Sequence, residues 1–249
     1  MPSTSEQTEA KLFQNLETEI NQIGILGALY KPPNPFAEIA PMQTNLGNAV
    51  PLRTTFQQKT AAEEEKRNSR ETLHEPTAKL MTDLINYCIS ANWDENDLAN
   101  LRTSSREYRG GRAEPKPQPD PNNPNAVQPR TISTAQTSYP GKTEHFANFV
   151  ESLRANQAKF KPEEERFKLS ALDALVAAMR QANTDVSLAA TETLMARTAL
   201  DAVLYTNPDN LVDAGNSARI YVRSAFRGHQ VYNAIKGFYF RKPKRLTGK

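Results

Sequence analysis

The sequence predicts an all-α protein: an elongated helical bundle built from two similar three-helix halves joined by a proline-rich linker. Three observations carry this expectation. Apolar residues recur at spacings of three and four through most of the chain, the period of one helix face. No Gly or Pro interrupts the stretch from Glu163 to Asn207, where alanine, the strongest helix former, is abundant. The 17 prolines gather at a few places, so they punctuate the chain rather than dissolve it. At 249 residues the chain is long enough to bury a core. Its mean hydropathy of −0.67 requires the apolar residues to sit on particular faces.

The first half is expected over residues 5–102. A helix over 5–28 carries Leu12, Leu16, Ile20, Ile23 and Gly27 on one stripe. Ser5 is placed to cap it, with Glu6 and Glu9 near the positive end of its dipole. Tyr30-Lys31-Pro32-Pro33 stops it. Residues 34–75 read as helix with interruptions, opened by Asn34 and Pro35. Pro41 and Pro51 are expected to break or kink it, because each removes a backbone donor. Glu63-Glu64-Glu65-Lys66-Arg67 is a solvated face. A helix over 77–91 follows with Leu80, Leu84, Ile85, Cys88 and Ile89, then a short one over Asp94–Leu101.

Residues 103–141 read as a linker or surface strap, with six prolines between Pro115 and Pro129; such composition favours extended polyproline segments. The second half, 142–226, repeats the plan. A helix over 142–157 carries Phe146, Phe149, Val150 and Leu153. The uninterrupted run after Pro162 would be about 60 Å long as one helix, with Asn183-Thr184-Asp185 offering a break into two. Asn207-Pro208 ends it, and residues 209–226 form the last helix. Residues 227–249 are a basic, aromatic tail.

The halves share an order of features. Each has a helix, an aromatic-Lys-Pro corner (Tyr30-Lys31-Pro32 and Phe160-Lys161-Pro162), a long helical run and a proline-marked turn at Pro76 or Pro208. Each closes on a helix bearing Tyr87 or Tyr221. This order points to duplication. Packing two such units, with the long helices side by side, would bury a stripe that one unit leaves open. Two bundles joined by the linker is the second arrangement.

Tyr221-Val-Arg-Ser-Ala-Phe226, followed by Gly228, Tyr232, Ile235-Lys-Gly237 and Phe240, resembles the C-terminal end of a group of uncharacterised helical bacterial proteins. The run from Phe160 to Tyr205 is similar to theirs as well, so the likeness covers about the last 100 residues. It implies an all-helical fold and transfers no activity, cofactor or catalytic residue.

Tests for chemistry return little. Cys88 is the one cysteine, so no internal disulfide forms, and its apolar setting suits a core residue better than a reactive thiol. Glu71-Thr72-Leu73-His74 has the spacing of di-iron helices, but no second Glu-x-x-His accompanies it, and it reads as a surface helix end. No Gly-rich phosphate loop, nucleophile elbow or triad is present. The expectation is a protein without enzymatic activity, metal, cofactor or small-molecule ligand. The N-terminus lacks a secretory pattern and no apolar run is long enough to span a membrane, so the expected location is the cytoplasm.

Charge is the sharper signal. Net charge is +3. After Asp213 no acidic residue occurs, while nine Lys and Arg do; the rest carries 22 basic and 28 acidic residues, a net of −6. An acidic body and a basic end are complementary, and head-to-tail contacts between copies close into rings or run on as filaments. The primary expectation is a self-associating scaffold or filament subunit, held beside a monomer whose basic tail is only a solubilising end. Its candidate contact residues are Arg219, Arg223, Arg227, Lys236, Phe238, Tyr239, Phe240, Arg241, Lys242, Lys244 and Arg245. A nucleic-acid-binding role for the same segment is the alternative, supported by a second basic series, Arg102, Arg106, Arg109 and Arg112. The second alternative is an enzyme whose site is assembled from residues distant in sequence; attachment of the tail to a membrane surface is a weaker one.

Overall fold

The computed structural model describes residues 4–111, 138–243 and 246, with side chains from residue 9 onward. Among the described residues the chain is all-helical, without strands. The α-helices are α1 (Thr4–Gly24), α2 (Ile39–His74), α3 (Thr77–Ser90), α4 (Glu95–Tyr108), α5 (Tyr139–Ala155), α6 (Leu169–Asp201), α7 (Leu211–Ala225) and α8 (Gln230–Ile235). Short 3-10 turns at Gly27–Leu29, Pro35–Ala37 and Glu165–Phe167 mark the corners, and a π turn at Ala202–Thr206 finishes α6. No described helix is long and apolar enough to cross a membrane.

The helix ends follow local chemistry. Asp94 caps α4 by accepting the N–H of Asp97 at 3.1 Å, and Asn210 caps α7 by accepting that of Asp213 at 2.9 Å. Ser138 caps α5, with Pro140 in its first turn. Gly110, at φ 72°, follows the end of α4, a conformation that glycine adopts without a Cβ penalty.

Several expected breaks are absent. Helix α2 runs through both Pro41 and Pro51. Pro51 takes the hydrogen bond from the carbonyl of Gly47, but both residues lie on the exposed face, where water replaces the lost donor. Asn183 does not break α6; its Nδ2 donates to Thr143 Oγ1 on α5 at 3.0 Å. Helix α4 reaches Tyr108 rather than Leu101, because Ser105 and Tyr108 continue its buried stripe. Helix α5 opens at Tyr139 and α8 forms inside the expected tail. The remaining linker residues, 112–137, lie outside the described residues.

The chain forms two compact units, one from residues 1–61 with 190–249, the other from residues 62–189. Each draws on both halves of the sequence. In the first unit, Ile20, Ile23, Leu26, Tyr30 and Met42 pack with Ala214, Ala218, Val222, Val231 and Ile235. Leu12, Phe13 and Leu16 pack with Leu200, Leu204, Leu211, Val212 and Phe240. In the second unit, Met81, Leu84, Cys88, Leu98 and Leu101 share a core with Phe146, Phe149, Leu153, Phe167, Leu172 and Met179. Each unit thus pairs the opening helix of one half with the closing helices of the other.

Equivalent elements stand at constant separations. The 3-10 turns at Pro35 and Glu165 and the starts of α2 and α6 at Ile39 and Leu169 are both 130 apart (165 − 35 and 169 − 39). At that separation Leu16, Glu19, Ile20 and Ile23 match Phe146, Phe149, Val150 and Leu153, all buried. Helices α3 and α7 start 134 apart (211 − 77), and Met81, Leu84 and Cys88 match Gly215, Ala218 and Val222, all buried. The corner aromatics behave alike: Tyr30 meets Tyr221 edge-on at 5.4 Å, and Phe160 meets Tyr87 edge-on at 5.6 Å.

Candidate functional site: an arginine-rich face with an exposed tyrosine

The first unit holds 14 basic and 9 acidic residues, a net of +5, and the second 17 and 19, a net of −2. The excess of the first unit is concentrated on α7 and the segment after α8. Helix α7 buries Leu211, Ala214, Gly215, Ala218 and Val222. The 3.6-residue period therefore turns Ile220 and Arg223 outward and leaves Arg219 half-buried beside the packed face, with Arg227 just beyond its C-terminus. Ile220 is 61% exposed.

Residues 238–243 are fixed to this helix. Phe240 is buried against Leu12, Leu16 and Leu211, and its carbonyl accepts from Asn216 Nδ2 at 2.9 Å. The Arg219 guanidinium donates to the carbonyl of Phe238. Lys242 Nζ lies 2.7 Å from an oxygen of Asp213. Gly215 makes the approach feasible, since a Cβ there would lie 2.9 Å from the Phe240 ring.

Docking of its neighbours leaves Tyr239 presented at the surface, 61% exposed. The guanidinium carbons of Arg219 and Arg241 sit 5.2 and 5.0 Å from its ring centroid, within cation–π range. Among the described residues, Arg223, Arg227 and Arg241 have no carboxylate partner. At Tyr239 the surface combines guanidinium groups, which recognise carboxylates and phosphates bidentately, with one aromatic ring.

The structure thus brings together Arg219, Tyr239 and Arg241 from the candidate set, and leaves Arg223 and Arg227 exposed near the end of α7. Phe240 belongs to the core, Phe238 is half-buried against it, and Lys242 is engaged with Asp213. Lys236 is exposed at the C-terminal end of α8, with Asn233 Oδ1 at 3.1 Å. Lys244 and Arg245 lie outside the described residues.

Two members of the second basic series are engaged within the chain. Arg102 pairs with Glu95, and Arg109 donates to the carbonyl of Ala78 at 2.6 Å and to Ser105 Oγ at 2.8 Å. Arg106 is half-buried, and Arg112 lies outside the described residues.

His74 corrects the expectation of a surface helix end: it is 5% exposed. Tyr108 Oη donates to the His74 carbonyl and lies 3.0 Å from its Nδ1. Because that hydroxyl proton is spent on the carbonyl, Nδ1 carries the ring proton. Burial, then Lys142 and Arg70, push the imidazole pKa down to about 4. His74 borders a cleft of about 580 Å³ with Glu71, Tyr139 and Lys142. No described group of three His, Cys, Asp or Glu is placed to hold a metal. Cys88 is buried, and burial pushes its thiol up to about 12.

Sequence reasoning missed Glu19. It is fully buried on α1, both carboxyl oxygens lack a hydrogen-bond partner, and burial raises its pKa to about 8 against the pull of Arg219. The signal was legible: Glu19 interrupts the stripe of Leu16, Ile20 and Ile23 at a core spacing.

No family model matches the chain, and neither a curated protein nor a solved structure matches it.

Proposed function

We propose that this is a duplicated, non-enzymatic interaction protein that self-associates as a scaffold. In this reading the arginine-rich face of its first unit docks on an acidic surface of a second copy. The observation that supports it is exposed Tyr239 flanked by Arg219 and Arg241, with Arg223, Arg227 and Arg241 lacking a carboxylate partner among the described residues. A surface that excludes acidic neighbours from its own chain has its charge available for another. The second unit offers exposed Glu64, Glu65, Glu163 and Glu164 as complementary groups. A contact between unlike surfaces is heterologous and propagates.

Light scattering across protein concentration at low and high salt tests this. The mass should grow at low salt and fall at high salt, since exposed charges are screened beyond about 10 Å at 0.1 M. Arg223→Glu with Arg227→Glu should abolish growth while leaving the circular dichroism melt in place. A mass that stays monomeric at every concentration and salt refutes self-association.

The second reading is binding of single-stranded nucleic acid, supported by Tyr239 beside two arginines, a combination that stacks bases and neutralises phosphates. Fluorescence anisotropy with a labelled oligonucleotide separates it from the first. Salt-sensitive binding lost in Tyr239→Ala supports it, and no binding by the monomer refutes it.

A further inference from the structure

Glu19 stands where the second unit has Phe149, and Gly215 stands where it has Met81; Glu19, Phe149 and Met81 are each fully buried. The scaffold therefore accepts an apolar pair at these positions, and the carboxyl is not required for packing. Exchanging Phe and Met for Glu and Gly does two things. It opens a berth on α7 that the Phe240 ring occupies, and it lines that berth with a carboxyl group: the point where a Gly215 Cβ would sit is 2.9 Å from Phe240 Cε2 and 3.1 Å from Glu19 Oε2. No donor satisfies the carboxyl. The nearest acting cation is Arg219, whose guanidinium is committed to the Phe238 carbonyl and the Tyr239 ring.

We propose that Glu19 is a proton-controlled latch for the C-terminal segment: protonated, it leaves Arg219 free to hold Phe238 and Tyr239; ionised, it draws Arg219 inward and releases them. This rests on the reading of the arginine-rich face as the interaction surface and supplies its regulation. A neutral carboxyl is tolerated in an apolar berth, whereas a buried carboxylate needs a partner. Where it stands, the Arg219 guanidinium reaches the Phe238 carbonyl and neither oxygen of Glu19, so pairing with Glu19 requires it to move inward, and that movement strips the segment of a hydrogen bond and a ring contact together.

Other charged and titratable groups around α1 act less directly. Tyr30 in the corner feels Glu19, with Tyr221 of α7 and Glu38 beyond it. Lys242 of the docked segment is paired with Asp213 of α7. Tyr205 lines the other core cluster. Helix α8 contributes Tyr232 and exposed Lys236, and is capped by exposed His229.

The direction follows from linkage. The docked state raises the Glu19 pKa from 4.5 to about 8, so it binds the proton that the released state gives up. Docking is strongest below about pH 4.5 and weakens as pH rises to about 8. Full solvation of the released carboxyl sets a ceiling of several hundredfold, roughly, on the increase in opening between pH 5 and pH 8.

NMR shifts of the Phe240 ring, together with exchange of the Phe238 amide that donates to the Ile235 carbonyl at 2.9 Å, corrected for intrinsic pH dependence and run on the full chain at a concentration where the protein is monomeric, read the latch directly. Opening should rise with pH in the wild type and become pH-independent in Glu19→Gln. A ¹³C titration of the Glu19 carboxyl in the wild type gives a second readout, independent of any variant, with an expected midpoint near 8. A carboxyl midpoint in the ordinary range, or equal pH dependence in wild type and Glu19→Gln, overturns the proposal. Because exchange is read on the monomer, loss of self-association refutes the scaffold reading and leaves the latch standing.

Discussion

Gly215→Ala probes the berth with one methyl group, and the structure sets two opposing magnitudes. In the interior of α7, Ala is the better helix former by about 1 kcal/mol. Against this, the new Cβ would lie 2.9 Å from Phe240 Cε2, 3.0 Å from Leu16 Cδ2 and 3.1 Å from Glu19 Oε2. Overpacking of this kind typically costs about 1–3 kcal/mol. Leu16 and Glu19 are held by α1, whereas Phe240 belongs to a six-residue segment anchored by few bonds, so Phe240 is the group that yields. Expelling its ring forfeits about 2–3 kcal/mol of burial, which caps the strain the variant must bear. The helix gain persists whether the ring is in or out. Global stability should therefore fall by about 2 kcal/mol at most, while the segment opens far more often. NMR and hydrogen exchange resolve the two: protection of the Phe240 ring from solvent should fall about tenfold to a hundredfold, one decade per 1.4 kcal/mol, with amide protection over 211–222 kept. Unchanged protection of the segment together with a higher melting temperature would refute the reasoning, because the berth would then accommodate the methyl group without displacing Phe240.

Two further perturbations test the buried polar groups. Arg197 lies 2.5 Å from Glu9 and 3.3 Å from Asp201, all largely buried, with its guanidinium over Phe56. Arg197→Leu should destabilise by about 2–4 kcal/mol in urea titrations, because two buried carboxylates lose their cation; a loss under about 0.5 kcal/mol, the range of ordinary surface substitutions, refutes this. His74 is held neutral in the folded state, with its pKa lowered from 6.5 to about 4. Its contribution is complete above pH 6.5 and is lost as pH falls toward 4, by at most about 3 kcal/mol. Urea titrations at pH 7 and pH 4.5 should show a shallower pH dependence for His74→Phe than for the wild type, and equal slopes refute the assignment.

The sequence by itself determined the helical class, most helix boundaries and the identity of the core faces, because these depend on local spacing and caps. Phe146, Phe149, Val150 and Leu153 fall on one stripe whatever surrounds them, and the shared order of corners is visible without coordinates. It also located the basic end of the chain, since charge is additive along a sequence. Tertiary structure decided the rest. Pro51 reads as a break from its missing N–H, but whether the freed carbonyl meets water depends on which face it occupies. The pairing of α1 with α7 and α8, and of α5 with α3 and α4, rests on which stripes meet, and the stripes of the two halves are too alike for a pattern to choose between them. Phe238, Tyr239 and Phe240 are indistinguishable in a linear reading; the berth at Gly215 buries Phe240 and turns Tyr239 outward. Glu19 shows the same division most sharply. Its position on a core stripe is legible in the sequence, but its lack of a partner, and with it its raised pKa, exists only once α7 and the C-terminal segment close over it.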